Sequence, residues 1–283
     1  MAEIIDGKAV SSALREEIKR KTEKFIAKKG VRPGLAVIIV GDDPASKIYV
    51  SNKEKACAQV GFYSDVYRLP ENTTEQELLA LIGKLNGDEK IHGILCQLPL
   101  PAHLDPEKVI LEISPEKDVD AFHPVNTGKI MIGNYDFLPC TPAGVMKLIE
   151  STGTDISGKE CVVVGRSNIV GKPQAMLLLQ KNGTVTVCHS KTRNLGEVTR
   201  RADILVVAIG KPDFITADMV KDGAIVIDVG MNRKPDGKLT GDVDFDGVSK
   251  KASFITPVPG GVGPMTITML LQNTLTAAEK YVK

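Results

Sequence analysis

The stretch Cys161-Val-Val-Val-Gly165-Arg-Ser-Asn-Ile-Val-Gly171-Lys-Pro173 decides the fold. Its first four residues are apolar without alternation, which predicts a strand buried on both faces, as in a parallel sheet. A strand that runs through a glycine turn into a helix directs backbone N–H groups and the helix N-terminus toward an anion. The spacing departs from G-x-G-x-x-G, because Ser167 replaces the middle glycine and the last glycine comes one residue late. The alternative is a tight strand–helix connection that binds nothing.

Similar apolar runs recur on both sides of this stretch, with helical stretches between them. The strand candidates are Leu35–Val40, Ile91–Cys96, Cys161–Val164, Val185–Cys188, Ile204–Ile209 and Ala224–Val229. The helix candidates are Val10–Lys29, Ser46–Val60, Thr74–Asn86, Pro142–Ser151, Val170–Lys181 and Met265–Tyr281. Alternating strands and helices predict an α/β fold with parallel strands and right-handed crossover connections.

The length of 283 residues indicates two domains. A boundary is expected near Leu138–Pro142, where two prolines interrupt the pattern. We therefore expect a first α/β domain of residues 1–140 together with 264–283, because the last helix can return to it. Residues 141–263 are expected to form a second α/β domain, a Rossmann-like parallel-sheet domain that binds a nucleotide. A cleft is expected between the two.

Composition narrows the possible partners. Lys and Arg number 36 against 35 Asp and Glu, which leaves a formal net charge of +1. A balanced chain has no broad field to attract phosphate backbones or anionic lipids, so neither nucleic acid nor membrane is an expected partner. The N-terminus lacks the apolar segment of a signal peptide, and the five scattered cysteines form no CxxC pair. This pattern favours a cytoplasmic protein without disulfides or a metal site.

The residues after the second strand of the predicted nucleotide domain indicate the cofactor. NAD sites typically carry Asp or Glu there for the ribose 2′-hydroxyl, whereas NADP sites carry cationic or hydroxyl donors. Here the residues are His189-Ser-Lys-Thr-Arg193, with Arg166 in the preceding turn. A guanidinium binds phosphate through paired charge-assisted hydrogen bonds, so Arg166 with Ser190 is the predicted 2′-phosphate site and NADP the predicted cofactor. The alternative is a solvated basic loop.

Two later strands also end in glycine, within Ala208-Ile-Gly210-Lys-Pro212 and Asp228-Val-Gly230-Met-Asn232. In an open parallel sheet the ligand lies beyond the carboxyl ends of the strands, and glycine there permits close backbone approach. Gly210 and Met231 are therefore further cofactor candidates. Ordinary turn punctuation is the alternative.

The helix Ser46–Val60 places an amine on a face that is expected to be buried. Its stripe at helical spacing consists of Tyr49, Asn52, Lys53, Ala56, Cys57 and Val60. A lysine against apolar surface loses hydration of its charged form, so its pKa should fall toward the range that proton transfer requires. The alternative is a lysine that extends to the rim while Tyr49 packs.

Two further polar segments follow predicted strands or lie between extended segments. Gln97 comes directly after the strand Ile91–Cys96, where it should project into a cleft, and the turn Leu98–Pro101 should stiffen it. Asp118 and Asp120 lie in an acidic loop between extended segments. Taken alone, such acids are usually solvated surface groups.

Together these motifs resemble the methylenetetrahydrofolate dehydrogenase/cyclohydrolase family from end to end. The matching stretches are Ser46–Lys53, Gly93–Pro101, Lys117–Asp120, Pro139–Pro142, Gly165–Pro173 and Pro259–Pro264. The resemblance implies oxidation of 5,10-methylenetetrahydrofolate with NADP and hydrolysis of the methenyl product to 10-formyltetrahydrofolate, in one-carbon metabolism that supplies purine biosynthesis. It also implies a homodimer formed through the nucleotide domains.

The resemblance assigns roles to the matched positions. Tyr49 is expected to stack on the folate, Lys53 to act as the catalytic lysine, and Gln97 to tune that lysine. Asp120 is expected to accept hydrogen bonds from the pterin, and the loop Gly260–Pro264 to close over substrate and nicotinamide. The resemblance also implies cis peptide bonds at Leu98–Pro99 and Val258–Pro259.

The complete set of candidates has two parts. The catalytic or substrate-binding candidates are Tyr49, Lys53, Gln97, Leu98, Asp120, Pro259, Gly260 and Gly261. The cofactor-binding candidates are Gly165, Arg166, Ser167, Ile169, Ser190, Gly210, Met231 and Thr266. Ala121 departs from the family, which usually has glycine after the aspartate; if that position needs positive φ, alanine strains the loop, and we expect the change to be tolerated.

Three other functions fit part of the sequence. An NAD-specific dehydrogenase would carry an acid near Ser190, and none is present. A lyase that forms a Schiff base at Lys53 would need a carbonyl substrate. A non-catalytic NADP-binding sensor would keep Gly165–Gly171 without needing Lys53, Gln97 and Asp120 together.

Overall fold

The computed structural model describes residues 1–282, without the side chain of Ala45. Its strands are β1 (Glu3–Ile4), β2 (Gly34–Val40), β3 (Tyr63–Leu69), β4 (Gly93–Cys96), β5 (Glu160–Val164), β6 (Thr184–Cys188), β7 (Ile204–Val207), β8 (Ile225–Asp228), β9 (Asn232–Arg233), β10 (Leu239–Thr240) and β11 (Phe254–Ile255). Its α-helices are α1 (Gly7–Lys29), α2 (Pro44–Gln59), α3 (Glu75–Gly87), α4 (Pro106–Glu112), α5 (Pro124–Met131), α6 (Cys140–Ser151), α7 (Gly171–Gln180), α8 (Leu195–Thr199), α9 (Phe245–Val248) and α10 (Val262–Tyr281).

The described chain divides into two compact units. One comprises Ala13–Cys140 with residues 267–282, and we call it the Lys53 unit; the other comprises Met1–Ser12 with Thr141–Thr266, and we call it the Gly165 unit. Each unit contains a parallel sheet with helices in the connections. The predicted α/β class, with a parallel-sheet second domain, is confirmed.

The Gly165 unit is built on a six-stranded parallel sheet in the order β1-β11-β8-β7-β5-β6. The chain runs from β5 outward to β6 and then returns to place β7 on the other side of β5. The carboxyl ends of β5 and β7 therefore flank the point where the strand order reverses, which is where open α/β sheets bind ligands. Apolar side chains of β5, β7 and β8 form the core, as the continuous apolar runs predict.

The Lys53 unit is built on a three-stranded parallel sheet in the order β3-β2-β4. Every residue of β2 is buried, and the core also includes Leu78, Ile82 and Ile94. A capping box between Thr74 and Glu77 starts the neighbouring helix α3. The sheet is therefore the rigid element from which the end of β4 projects Gln97.

The residues that the structure describes contain no membrane-spanning helix, no cluster of side chains placed to bind a metal ion and no disulfide. Among residues 1–282, every helix is either too short or too polar to cross a membrane. The same residues contain no group of three or more His, Cys, Asp or Glu side chains placed to hold a metal ion. The five cysteines carry free thiols.

Candidate active site

The amine of Lys53 lies on the buried face of α2. The helix begins where the Asp43 carboxylate accepts a hydrogen bond from the Ser46 amide at 2.7 Å, with Pro44 in the first turn. Lys53 is only 8% exposed, and its Nζ donates to Gln97 Oε1 at 2.8 Å. The lysine therefore points inward and does not extend to the rim.

The predicted stripe on α2 is correct except at one position. Tyr49 is half-buried, and Ala56, Cys57 and Val60 are buried, but Asn52 is exposed. Successive residues of an α-helix are rotated by about 100°, so the residue before Lys53 points well away from the buried face. Asn52 therefore belongs to the solvent side of the helix.

Gln97 is fixed at the end of β4 by bonds from both its backbone and its side chain. Its backbone amide donates to Ile38 O at 2.8 Å and extends the pairing with β2. Its Nε2 donates to Leu98 O at 2.6 Å, which leaves Oε1 turned toward Lys53. The amide therefore presents an acceptor, and not a donor, to the lysine.

The carboxylate of Asp120 completes the charged group in the Lys53 unit. Burial lowers the pKa of Lys53, and the charge of Asp120 opposes that shift. Burial raises the pKa of Asp120, while Lys53 and a hydrogen bond from the Cys140 thiol oppose the rise. Each group thus stabilises the charged form of the other against the cost of burial. The amine and the carboxylate in this arrangement can exchange protons with a bound molecule, while the amide oxygen orients the amine.

The glycine turn after β5 is closely packed against neighbouring backbone. Gly165 has φ +130°, and its amide donates to Cys188 O at 2.9 Å. A Cβ at Gly165 would overlap the carbonyl oxygen of Ala208, and a Cβ at Gly171 would overlap that of Gly165. Only glycine fits at either position, so backbone approaches backbone at the carboxyl ends of β5 and β7.

Two amides at the start of α7 are already hydrogen-bonded to a serine of the preceding turn. Ser167 Oγ accepts hydrogen bonds from the amides of Val170 and Gly171 at 3.2 and 3.3 Å. These two N–H groups are bonded within the turn, which differs from the prediction that the helix start offers its amides to an anion. The exposed side chains of the turn, among them Arg166 and Ile169, remain accessible to a ligand.

Arg166 and Ser190 follow neighbouring strands at the same level of the sheet. Val164 of β5 pairs with Cys188 of β6, and each of the two side chains comes two residues later. Both residues are exposed. The turn after β6 is held by the His189 amide, which donates to Thr192 Oγ1 at 2.8 Å. The register thus supports the predicted pairing of a guanidinium with a hydroxyl at one edge.

Residues 139–282 match the profile of the tetrahydrofolate dehydrogenase/cyclohydrolase NAD(P)-binding domain, and residues 5–120 match that of the catalytic domain of the same family. The chain belongs to the tetrahydrofolate dehydrogenase/cyclohydrolase family. With both domains present, it is a bifunctional enzyme of folate one-carbon metabolism.

Relatives match this family member over its whole length. The bifunctional protein FolD of Acetivibrio thermocellus is 64% identical over 282 residues, which is 100% of this chain and 99% of that protein. The structure of the bifunctional FolD of Campylobacter jejuni is 53% identical with a TM-score of 0.96 over 99% of each chain. The dehydrogenase-cyclohydrolase of Trypanosoma brucei, solved with NADP and an inhibitor, is 43% identical with a TM-score of 0.96 over 100% of this chain and 99% of that one.

The loop that carries Asp120 in this family member depends on residues that sequence reasoning did not select. The Asp118 carboxylate is buried and accepts from the His123 amide at 2.8 Å and from Asn126 Nδ2 at 2.9 Å. Asn273 Nδ2 on α10 donates to Val119 O at 2.8 Å. A buried amide within an otherwise apolar helix stripe is the signal that could have identified Asn273.

Ala121 adopts a backbone conformation that alanine rarely accepts. Its φ is +56°, and its amide donates to Asp118 O at 3.0 Å. The condition stated from the sequence is therefore met, since the position next to Asp120 does use positive φ. An alanine in the left-handed region costs about 1 kcal/mol, which a well-hydrogen-bonded loop can accommodate.

The remaining candidates lie in the Gly165 unit, apart from Leu98 in the Lys53 unit. The expected cis peptide bonds at Leu98–Pro99 and Val258–Pro259 are both present. Gly260 has φ +110°, and a Cβ on Gly7, at the start of α1, would overlap the carbonyl oxygen of Gly261. The methyl end of Met231 lies near Gly263, and Thr266 Oγ1 is 3.0 Å from Thr141 Oγ1. The loop Gly260–Pro264 therefore contacts both the start of α1 and Met231, which lies between β8 and β9.

Proposed function

We propose that this enzyme oxidises 5,10-methylenetetrahydrofolate with NADP and then hydrolyses the methenyl product to 10-formyltetrahydrofolate. The observation that carries the proposal is the buried Lys53 amine, 2.8 Å from Gln97 Oε1 and electrostatically coupled to Asp120. Burying an amine costs free energy, and titratable groups perturbed in this way cluster at functional sites.

Binding of the folate is assigned to two side chains of the Lys53 unit. Tyr49 lies one turn before Lys53 on α2, and its half-buried aromatic ring can stack on the flat pterin. Asp120 provides a carboxylate that can accept two parallel hydrogen bonds from the amino and ring N–H groups of the pterin. Leu98 follows Gln97 and lines the same turn.

The residues of the Gly165 unit fit NADP. The glycine turn has no room for a Cβ, because backbone packs directly against backbone there, and Arg166 with Ser190 offers a guanidinium and a hydroxyl without an acid in residues 189–193. We assign these two side chains to the 2′-phosphate, and Gly165, Ser167, Ile169, Gly210, Met231 and Thr266 to the rest of the cofactor. When bound, NADP⁺ supplies the acceptor for the hydride that leaves the methylene carbon.

The hydrolytic step is assigned to Lys53. The neutral amine accepts a proton from a water molecule as the water oxygen bonds to the methenyl carbon. The resulting ammonium returns the proton to N5 as the bond between N5 and that carbon breaks. The added hydroxyl loses its proton to solvent at the same time, and its oxygen becomes the formyl carbonyl of 10-formyltetrahydrofolate. Gln97 Oε1 accepts a hydrogen bond from Nζ throughout and keeps the lysine oriented. The loop Pro259–Gly261 is assigned to covering the substrate.

The test uses the purified protein with methylenetetrahydrofolate and either NADP⁺ or NAD⁺. We expect NADPH absorbance to appear, a markedly lower rate with NAD⁺, and 10-formyltetrahydrofolate as the final product by chromatography. Absence of both NADPH and the formyl product would refute the proposal in favour of a non-catalytic NADP-binding sensor. Trapping of a folate adduct on Lys53 by borohydride would instead indicate Schiff-base chemistry.

We further propose that the enzyme works in the cytoplasm as a homodimer formed through its Gly165 units. The support is the family resemblance together with the exposed apolar side chains Leu179 and Val187, which lie on α7 and on the edge strand β6. Sedimentation at micromolar concentration should report twice the chain mass. Charged substitutions at both positions, Leu179→Glu with Val187→Lys, should return the monomer mass.

A further inference from the structure

A buried carboxylate in the Gly165 unit holds the loop that follows β7. Asp242 is 0% exposed, and its Oδ2 accepts from the amides of Ile209 and Gly210 at 2.7 and 3.0 Å. Its Oδ1 accepts from the Lys211 amide at 2.8 Å. Three successive N–H groups of one loop therefore converge on a single side chain, which sets the direction of every peptide in that loop.

The same carboxylate also holds the segment that follows β8. Asn232 Nδ2 donates to Asp242 Oδ1 at 2.8 Å and to Gly241 O at 3.1 Å. A Cβ on Gly230 would overlap the Asp242 carboxyl group, so the backbone between Asp228 and Asn232 passes directly against it. Asp242 thus links the two loops that contain Gly210 and Met231.

A second buried acid positions Asp242 itself. The Asp228 carboxylate, at the end of β8, accepts from the amides of Gly230, Asp242 and Val243, each at 2.9 Å. Burial raises the pKa of Asp228 to about 6, while the hydrogen bonds from these three N–H groups favour the charged carboxylate. The two carboxylates and the loops around them form one hydrogen-bonded network at the carboxyl ends of β7 and β8.

We propose that Asp242 is a positioning residue for the nucleotide cofactor, because it fixes the backbone of the two loops that carry Gly210 and Met231. This rests on the proposed NADP site. The loop after β7 also abuts the glycine turn, since a Cβ on Gly165 would overlap Ala208 O. A change in the Ile209–Lys211 peptides therefore displaces the backbone against which the cofactor lies, without touching Lys53 or Gln97.

A carboxylate is required at this position because all of its partners are donors. An asparagine has one oxygen, and its amide nitrogen would face N–H groups that it cannot accept from. Asp242→Asn is nearly isosteric, so it removes acceptors while the volume of the site is kept. The effect should fall on cofactor binding and not on the chemistry of the Lys53 unit.

The test compares Asp242→Asn with Asp244→Asn, two residues later, where the carboxylate caps the short helix α9. Calorimetric titration with NADP⁺ should give a Kd roughly tenfold or more above the wild type for Asp242→Asn, the scale expected for losing a charge-assisted bond. Its KM for NADP⁺ should rise in parallel, whereas methenyl hydrolysis and the KM for folate should stay within about twofold. Asp244→Asn should bind NADP⁺ like the wild type.

A folded Asp242→Asn variant with wild-type Kd for NADP⁺ would overturn the inference. So would equal losses of NADP⁺ binding and methenyl hydrolysis, which would indicate general structural damage. If that variant does not fold, Asn232→Ala decides, because it removes one donor to Asp242: a weaker NADP⁺ affinity with normal hydrolysis supports the inference, and an unchanged affinity refutes it. Failure of the wild type itself to bind NADP⁺ would refute the proposed function instead.

Discussion

The candidate sites of the two units differ in composition: one depends mainly on side chains, the other mainly on backbone. In the Lys53 unit the site consists of buried and half-buried side chains, with Lys53, Gln97 and Asp120 joined by hydrogen bonding and charge. In the Gly165 unit the candidate site consists of backbone and exposed side chains, with Gly165 and Gly171 allowing close approach and Arg166 open to solvent.

The difference follows from what each site has to do. A lysine transfers protons efficiently near neutral pH only if its pKa is lowered, and burial is the largest cause of the lowered pKa of Lys53. Binding a dinucleotide needs no shifted pKa; it needs backbone close enough to contact the ligand and donors that reach its phosphates. Substitutions should therefore act on chemistry in one unit and on affinity or packing in the other.

The largest expected effect is at Lys53. Lys53→Met keeps the length and apolar volume of the side chain but removes the proton carrier, so methenyl hydrolysis should fall by about 10²–10⁴-fold. NADP⁺ affinity should not change, since the substitution lies in the other unit. Loss of the methenyl absorbance measures the rate, and calorimetry the affinity. A variant that kept full hydrolytic turnover would refute the assignment of Lys53.

The next effect is expected at Gly165, on the other side of the comparison. Gly165→Ala forces a side chain at φ +130° and overlaps Ala208 O, so the free energy of unfolding should fall by about 3 kcal/mol or more, with weaker NADP⁺ binding. Gly223→Ala is the control, because it also has positive φ but open space around the new Cβ, and it should cost only about 1 kcal/mol. Urea unfolding compares the two; equal losses would mean that the close approach at Gly165 is unimportant.

A smaller and more specific effect is expected from Asp120→Asn on the pH dependence of hydrolysis. The charge of Asp120 raises the pKa of Lys53, so its removal should lower that pKa further. If the neutral amine is the proton acceptor, kcat at saturating folate rises with pH through the pKa of Lys53, and this limb should move to lower pH in the variant. Asp136→Asn, an acid paired with Lys129 and Lys280 away from Lys53, should leave the limb in place. A limb that stays fixed or moves upward in Asp120→Asn contradicts the proposed coupling.

The smallest effect is expected at Ala121. Ala121→Gly relieves about 1 kcal/mol of left-handed strain but gives up a buried methyl of about 0.8 kcal/mol and loosens the unfolded chain, so stability should change by less than about 1 kcal/mol. The KM for folate should be nearly unchanged. Ala121→Val puts a branched side chain at the same φ, so it should lower the free energy of unfolding by several times the change caused by Ala121→Gly. A strong gain in stability from glycine would mean that the Asp120 loop is more strained than its hydrogen bonds indicate.

The sequence predicted the elements whose signal is local. The apolar runs that became β2, β5, β7 and β8 are buried strands of parallel sheets, and the stripe on α2 placed Lys53 on a face expected to be buried. It did not predict β3, because Tyr63–Leu69 carries serine, aspartate and arginine; as an edge strand it needs no continuous apolar face. The predicted buried stripe of α2 wrongly included Asn52, because a residue three positions after Tyr49 lies at the margin of that face and is exposed.

Local pattern by itself determined the α/β class, the glycine turn after β5 and the face of α2 on which Lys53 lies, because each depends on neighbours within a few residues. That the Lys53 side chain points inward was decided by its hydrogen bond to Gln97, 44 residues away. Only the tertiary structure decided that Asp120 lies close enough to Lys53 to couple with it, that Asn273 holds the Asp120 loop, that β1 pairs with β11, and that Asp242 holds the loop after β7. These contacts join segments that are distant along the chain. Their partners are selected by packing, since a buried donor or acceptor must find whatever group the folded chain brings to it.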